Sequence, residues 1–241
     1  MRKSIAVAII AASGATAACS QAHRDAGPDV SRNFQVGNFQ EIEVAGPYDV
    51  TVQTGGKPGV AAQGSQKLLD KTVVDVKGDK LVIHQEEHRG FSLFHFGSSG
   101  HAHFTVTVPQ LNAATLAGSG DLSVNAVSGD TFKGTLAGSG NLDIGTVKLQ
   151  SMKLSLAGSG DVKVGSGQVQ TAEYGIFGAG DVDASGVTSE QLKLNIAGSG
   201  NIKANGTGTA DVTIMGAGDV TVSGGAKCTI HKAGAGDVHC P

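Results

Sequence analysis

Seven acidic or amide residues recur along the C-terminal half of the chain: Asp121, Asn141, Asp161, Asp181, Asn201, Asp219 and Asp237. A column of carboxylates is a possible cation ladder, and calcium β-rolls use Gly-Gly-x-Gly-x-Asp at a nonapeptide spacing. Here each acid directly follows a glycine and returns only every 18–20 residues, and two of the seven are uncharged. Carboxylates stacked about 4.8 Å apart repel by roughly 1 kcal/mol in water, which interleaved Asn relieves. The pattern therefore predicts repeat-corner turn residues that satisfy backbone groups rather than metal ligands.

Histidine makes a second constellation. His84, His88, His95, His101 and His103 fall close together beside Glu86 and Glu87. Imidazole and carboxylate suit zinc, copper or nickel, but only His101-x-His103 has same-face spacing on a strand, leaving that pair as the weak metal candidates. The segment from His84 to Phe104 reads better as a hairpin between two strands. Phe91, Phe94 and Phe96 sit at its tip, either packed under it or forming a partner contact. Gly-x-Ser-x-Gly, His-Glu-x-x-His and phosphate-loop motifs are absent, so no catalytic residue and no cofactor is expected.

The three cysteines are Cys19, Cys228 and Cys240. Met1-Arg2-Lys3 followed by an apolar stretch to Ala18 reads as a secretory signal peptide, too short to span a bilayer as a helix. Two cleavage modes fit: Ala15-Thr16-Ala17 as a small-x-small site, or Thr16-Ala17-Ala18-Cys19 as a lipobox with Thr16 in place of the usual leucine. Lipidation of Cys19 would leave an even cysteine pair in an oxidising compartment. Residues 19–33 are polar and read as a tether.

The elements that carry these residues are written as a repeat. TLAGSGDLSV begins at Thr115, and related decamers begin at Thr135, Ser155, Gly175, Asn195, Thr213 and His231. Within each copy apolar and polar residues alternate, as in half-buried strands, and Gly-Ser/Ala-Gly-Asp/Asn marks a corner. A third short strand is expected around Val127, Val147 or Val187. The fold class is thus all-β, a single-stranded β-helix or β-solenoid with coils of 18–20 residues over 110–241. Stacking places Leu116, Leu136, Leu156, Ile176, Ile196 and Ile214 in one inward column, which Lys232 ends. Cys228 and Cys240 both point into the final coil, predicting a disulfide that staples the open end. The outward columns beginning at Thr115 and Ala117 predict a flat wall of small groups.

Composition agrees with a solenoid. Glycine supplies 37 of 241 residues, about twice the usual share of roughly 7 per cent, without a Gly-X-Y period. A net charge of −3 gives no basic footprint for nucleic acid. Residues 34–109 lack the repeat but contain strand-like runs at 42–44, 48–52, 73–76, 80–84 and 104–108, with one possible helical turn at 65–70. They are expected to form irregular early coils or a sheet that caps the stack, within one domain over 34–241.

Phe39-x-x-Ile42-x-Val44, Tyr48-Asp49-Val50, Lys80-Leu81-Val82-Ile83 and Val106-Thr107-Val108-Pro109-x-Leu111 lead into the Gly-Ser-Gly-Asp/Asn repeats. In that order they resemble the head GIN domain family of auto-transporter-adhesin-like envelope proteins, over about 38–225. The resemblance implies a β-helical fold and a periplasmic or surface location, and supplies no catalytic residues. The expected function is a non-enzymatic, exported and lipid-anchored adhesin or surface-binding module. Its expected partners are the membrane, through that anchor, and an envelope component, a glycan or another protein. A β-helical carbohydrate-active enzyme and a periplasmic sensor or scaffold partner are the alternatives. An enzyme would need carboxylates clustered at one spot.

Overall fold

The computed structural model describes residues 27–86 and 100–241. Its centre is a stack of parallel coils: β8 (Ala113–Gly118), β9 (Asp121–Gly138), β10 (Asn141–Gly158), β11 (Asp161–Gly178), β12 (Val182–Gly198) and β13 (Ile202–Gly216). Pairing keeps the register of the sequence repeat. Leu136 lies between Leu116 and Leu156, and the column continues through Ile176, Ile196 and Ile214 to Lys232. The six aliphatic members are fully or almost fully buried, and such a side chain contributes roughly 1.5–3 kcal/mol on burial. No coil has a dry face without its neighbours, so stability is a property of the stack. The repeat shortens where β12 meets β13, whose register slips between Ala184 and Gln191, and β14 and β15 then keep the shorter 18-residue offset on β13.

The early strands both extend the stack and close it. β2 (Glu41–Ala45) pairs in parallel with β8, and β6 (Lys80–Gln85) pairs with β2. On the adjoining side β3 (Asp49–Thr54) pairs with β9, and β7 (Ala102–Val108) pairs with β3. The strands β6 and β7 therefore contribute the outermost parallel rung, beneath a rung that precedes them in the chain. Antiparallel strands finish the edges: β5 (Thr72–Lys77) on β6, and β4 (Gly59–Ser65) followed by β1 (Asp29–Phe34) on β7. The one helical turn, α1 (Gln66–Leu69), buries Leu68 and Leu69.

The expected tether from 19 to 33 ends sooner than its polarity implied, because β1 enters the sheet at Asp29. Val30, Arg32 and Phe34 turn inward and are half-buried. Phe34 stacks on Phe104, while Arg32 pairs with Asp70 and donates to the Leu69 carbonyl. The signal-peptide residues 1–18, with Cys19, lie outside the described residues.

At the far end, β14 (Val220–Ser223) and β15 (Lys227–Gly234) lie on β13, and β16 (Val238–His239) lies on β14. Cys228 and Cys240 are joined by a disulfide, with Cα atoms 6.5 Å apart. The bridge closes the last coil on the side where Ile230 is partly exposed and Lys232 replaces the aliphatic column.

Candidate functional site

The corners are built by two glycines with different duties. Gly138 has φ 143°, a conformation that side chains rarely adopt. Gly140 has no room for a side chain, since a Cβ there would collide with the carbonyl oxygen of Gly120 one rung below. The residue between them is unconstrained, which is why Ser139 and Ser159 alternate with Ala179 and Ala217. Ser139 N and Gly140 N both donate to the Gly118 carbonyl, at 3.0 and 3.3 Å.

The following Asp or Asn bonds between rungs and not within its own turn. Asn141 N and Nδ2 donate to Asp121 Oδ1 at 3.1 and 2.9 Å, and Asn201 N and Nδ2 donate to Asp181 Oδ1 at 2.8 and 2.9 Å. Asp181 N donates to Asp161 Oδ1, Asp219 N to Asn201 Oδ1, and Asp237 N to Asp219 Oδ1. The column begins one rung earlier than the repeat suggests, because Asp121 N donates to Asp49 Oδ1 at 3.2 Å. The Asp49 register was open to view in Tyr48-Asp49-Val50, which matches Gly120-Asp121-Leu122. Each acceptor oxygen thus holds the backbone of the next corner.

The neighbouring outward column alternates in sign: Asp143, Lys163, Asp183 and Lys203 are successive register partners. Hydrogen bonds from Ser185, together with Lys203 and Lys163, hold the Asp183 carboxyl below its ordinary range. A groove of about 480 Å³ runs along this column and the acid corner. Its lining carries Asp161, Asp181, Asp183 and Asp219 against Lys163 and Lys203, so the acids are only partly compensated across rungs. Among the described residues, no group of three or more His, Cys, Asp or Glu side chains is placed to hold a metal ion. His101 faces Asp29 at 3.4 Å and His103 faces Thr51 at 3.4 Å, so the two imidazoles engage different partners. His84 Nδ1 contacts the Gln85 carbonyl. His88, His95, Phe91, Phe94 and Phe96 lie outside the described residues.

The wall expected to be flat is interrupted. Its apolar column runs Ala137, Ala157, Phe177, Ala197, Met215, and the two large members stand out of the sheet, 61% and 58% exposed. The Phe177 ring lies over Gly175, which faces outward and is nevertheless buried. A cleft of about 260 Å³ opens between Phe177 and Met215, bordered by Ser155, Asn195 and Thr213 and by the Lys153–Glu173 ion pair at 3.0 Å. The signal was present in the sequence as two breaks in a column of alanines.

Residues 38–226 match the family described as putative auto-transporter adhesin, head GIN domain. The chain belongs to that family. The head GIN match ends at the final glycine turn, before the disulfide-closed coil. A solved putative adhesin from Bacteroides fragilis is similar at 23% identity and TM-score 0.77, covering 89% of this chain and 97% of its own. A putative lipid binding protein from Parabacteroides distasonis has 23% identity and TM-score 0.70 over the same shares. A putative adhesin from Parabacteroides merdae has 18% identity and TM-score 0.69, again covering 89% and 97%. These likenesses establish the head GIN solenoid as a shared fold. No curated protein matches the chain. Among the described residues no helix is long and apolar enough to cross a membrane.

Proposed function

We propose that this head GIN protein is a non-enzymatic, exported cell-envelope adhesin, lipid-anchored through Cys19, that holds a rigid parallel-sheet face toward a partner. The observation that carries the reading is the pair Phe177 and Met215, two exposed apolar side chains on a face otherwise lined with small and paired polar groups. Apolar side chains scattered singly over a surface are ordinary, but two large ones lining one cleft are the grouping that marks contact surfaces. The family's adhesin description and the solved relatives bearing that name support the same direction. The polar side chains are spread by the repeat and not gathered at one centre, which supports a role without catalysis.

The test is adherence of beads coated with the purified protein to envelope fragments, with a Phe177→Ala/Met215→Ala double variant beside the parent. Loss of adherence in the double variant supports the reading, and equal adherence removes this face from it. Mass spectrometry of the membrane fraction checks Cys19, where an acyl mass is expected. Turnover in a polysaccharide-degradation screen would replace the adhesin reading with the carbohydrate-active one.

A further inference from the structure

We propose that the slot between Phe177 and Met215 is a carbohydrate subsite that takes a pyranose ring of a neutral glycan. This rests on the adhesin reading and names its ligand class. Phe177 stands beside Gly175, where a Cβ would come within 3.7 Å of ring Cε2, and the residue stays 61% exposed. Met215 stands two rungs further on, about 10 Å away at the usual strand spacing. Ala197 between them leaves the floor clear. The Met thioether is flexible and adapts to irregular shapes.

The rim decides the chemistry. Asn195, Ser155 and Thr213 supply neutral donors and acceptors, and the charges that line the slot, Lys153 and Glu173, neutralise each other. An apolar plate edged by neutral hydrogen-bonding groups matches a sugar ring, which carries C–H bonds on its faces and hydroxyls around its edge. A phosphate or lipid headgroup calls for an unpaired cation, which this rim lacks. A second copy of the chain needs about 800 Å² on each partner, far beyond two side chains. A second groove of about 400 Å³ continues across the same face past Gln191 and Thr209, with the charged Lys193, Asp211 and Lys227 also on its lining, giving room for further sugar units along the strand direction.

The full chain and its Phe177→Ala, Phe177→Tyr and Met215→Ala variants are screened against neutral hexasaccharides of glucose, xylose, mannose, galactose and N-acetylglucosamine. Phosphatidylcholine and phosphatidylglycerol vesicles and the bead-adherence assay run alongside, and thermal unfolding checks that each variant is folded. The expected result is binding of at least one hexasaccharide, weakened tenfold or more by Phe177→Ala and retained by Phe177→Tyr. Adherence without any saccharide binding overturns the subsite and leaves the adhesin reading standing. Saccharide binding that Phe177→Ala leaves intact overturns it too, as does vesicle binding that depends on Phe177. Loss of both adherence and saccharide binding in the parent overturns both.

Discussion

Replacing Gly160 with alanine tests the geometry of the corner directly. The added Cβ would collide with the Gly140 carbonyl oxygen and lie 3.0 Å from two further backbone carbons, those of Gly140 and Ser139. No flexible side chain is available to yield, so the two rungs must part at this corner. Parting them strains the bonds from Ser159 N and Gly160 N to the Gly138 carbonyl, now 3.0 and 3.3 Å. Each such bond is worth about 1 kcal/mol, and overpacking adds roughly 1–3 kcal/mol. The expected loss is about 3–5 kcal/mol, which for a domain of this size lowers Tm by ~6–20 °C. Ser159→Ala is the internal control: the same methyl-bearing residue, one position earlier, where the repeat already carries Ala179 and Ala217. It should change stability by less than about 0.5 kcal/mol. Urea denaturation followed by circular dichroism measures both. A Gly160→Ala protein within about 0.5 kcal/mol of the parent would refute the close-approach account.

The corner acids give a second contrast: Asp181→Asn keeps the acceptor for Asn201 and should leave stability unchanged or slightly raised, whereas Asp181→Ala should lose about 1 kcal/mol. Stabilisation of the parent by several degrees in millimolar calcium, absent in Asp181→Asn, would contradict a purely structural ladder. Removing the bridge by Cys228→Ser/Cys240→Ser should abolish hydrogen-exchange protection in β15 and β16 while the coils from β9 to β12 keep theirs. A closed loop this short stabilises by roughly 3 kcal/mol, and global unfolding on its removal would disprove the local role. The Tyr174 and Ser189 hydroxyls lie near one another in the core, and neither has a well-formed hydrogen bond among the described residues. Tyr174→Phe should therefore be neutral or stabilising. Burial raises the Tyr174 pKa above its ordinary value, so the folded state keeps the proton after the unfolded chain has released it. Stability must then fall as pH rises past about 10, by up to ~1.4 kcal/mol per pH unit for each such group. Tyr174→Phe should make that alkaline decline shallower in pH-dependent urea titrations, and an unchanged slope would count against the desolvation argument.

The regular coils were legible because strict alternation and a fixed spacing leave a single register in which every aliphatic column closes. The cysteine pair was legible for the same reason, each residue falling in a known inward column. β4 was missed because Gly59-Val60-Ala61-Ala62-Gln63-Gly64 offers Val60 alone of the branched and aromatic residues that mark strands, and it is held instead by pairing on both sides. β1 was read as tether because its outward residues are polar, while its inward Phe34 finds a partner only in Phe104, far along the chain. The corner acids stand at the corners the repeat marks, but sequence alone gives no view of the rung above, so it does not say which corner's backbone each one holds. Phe177 and Met215 were written into the small-residue wall because a column average hides its exceptions.

The rung formed by β2 and β3 waits for the chain to return twice. Its parallel neighbours begin at Lys80 and Ala102 on one side and at Ala113 and Asp121 on the other. A nascent polypeptide that has delivered only its first sixty residues consequently owns strands with no parallel mate to zip onto. Consolidation must begin downstream, among the uniform turns, and the opening segment is threaded into place afterwards. Assembly in that order leaves the opening strands unpaired until the later turns have supplied their mates.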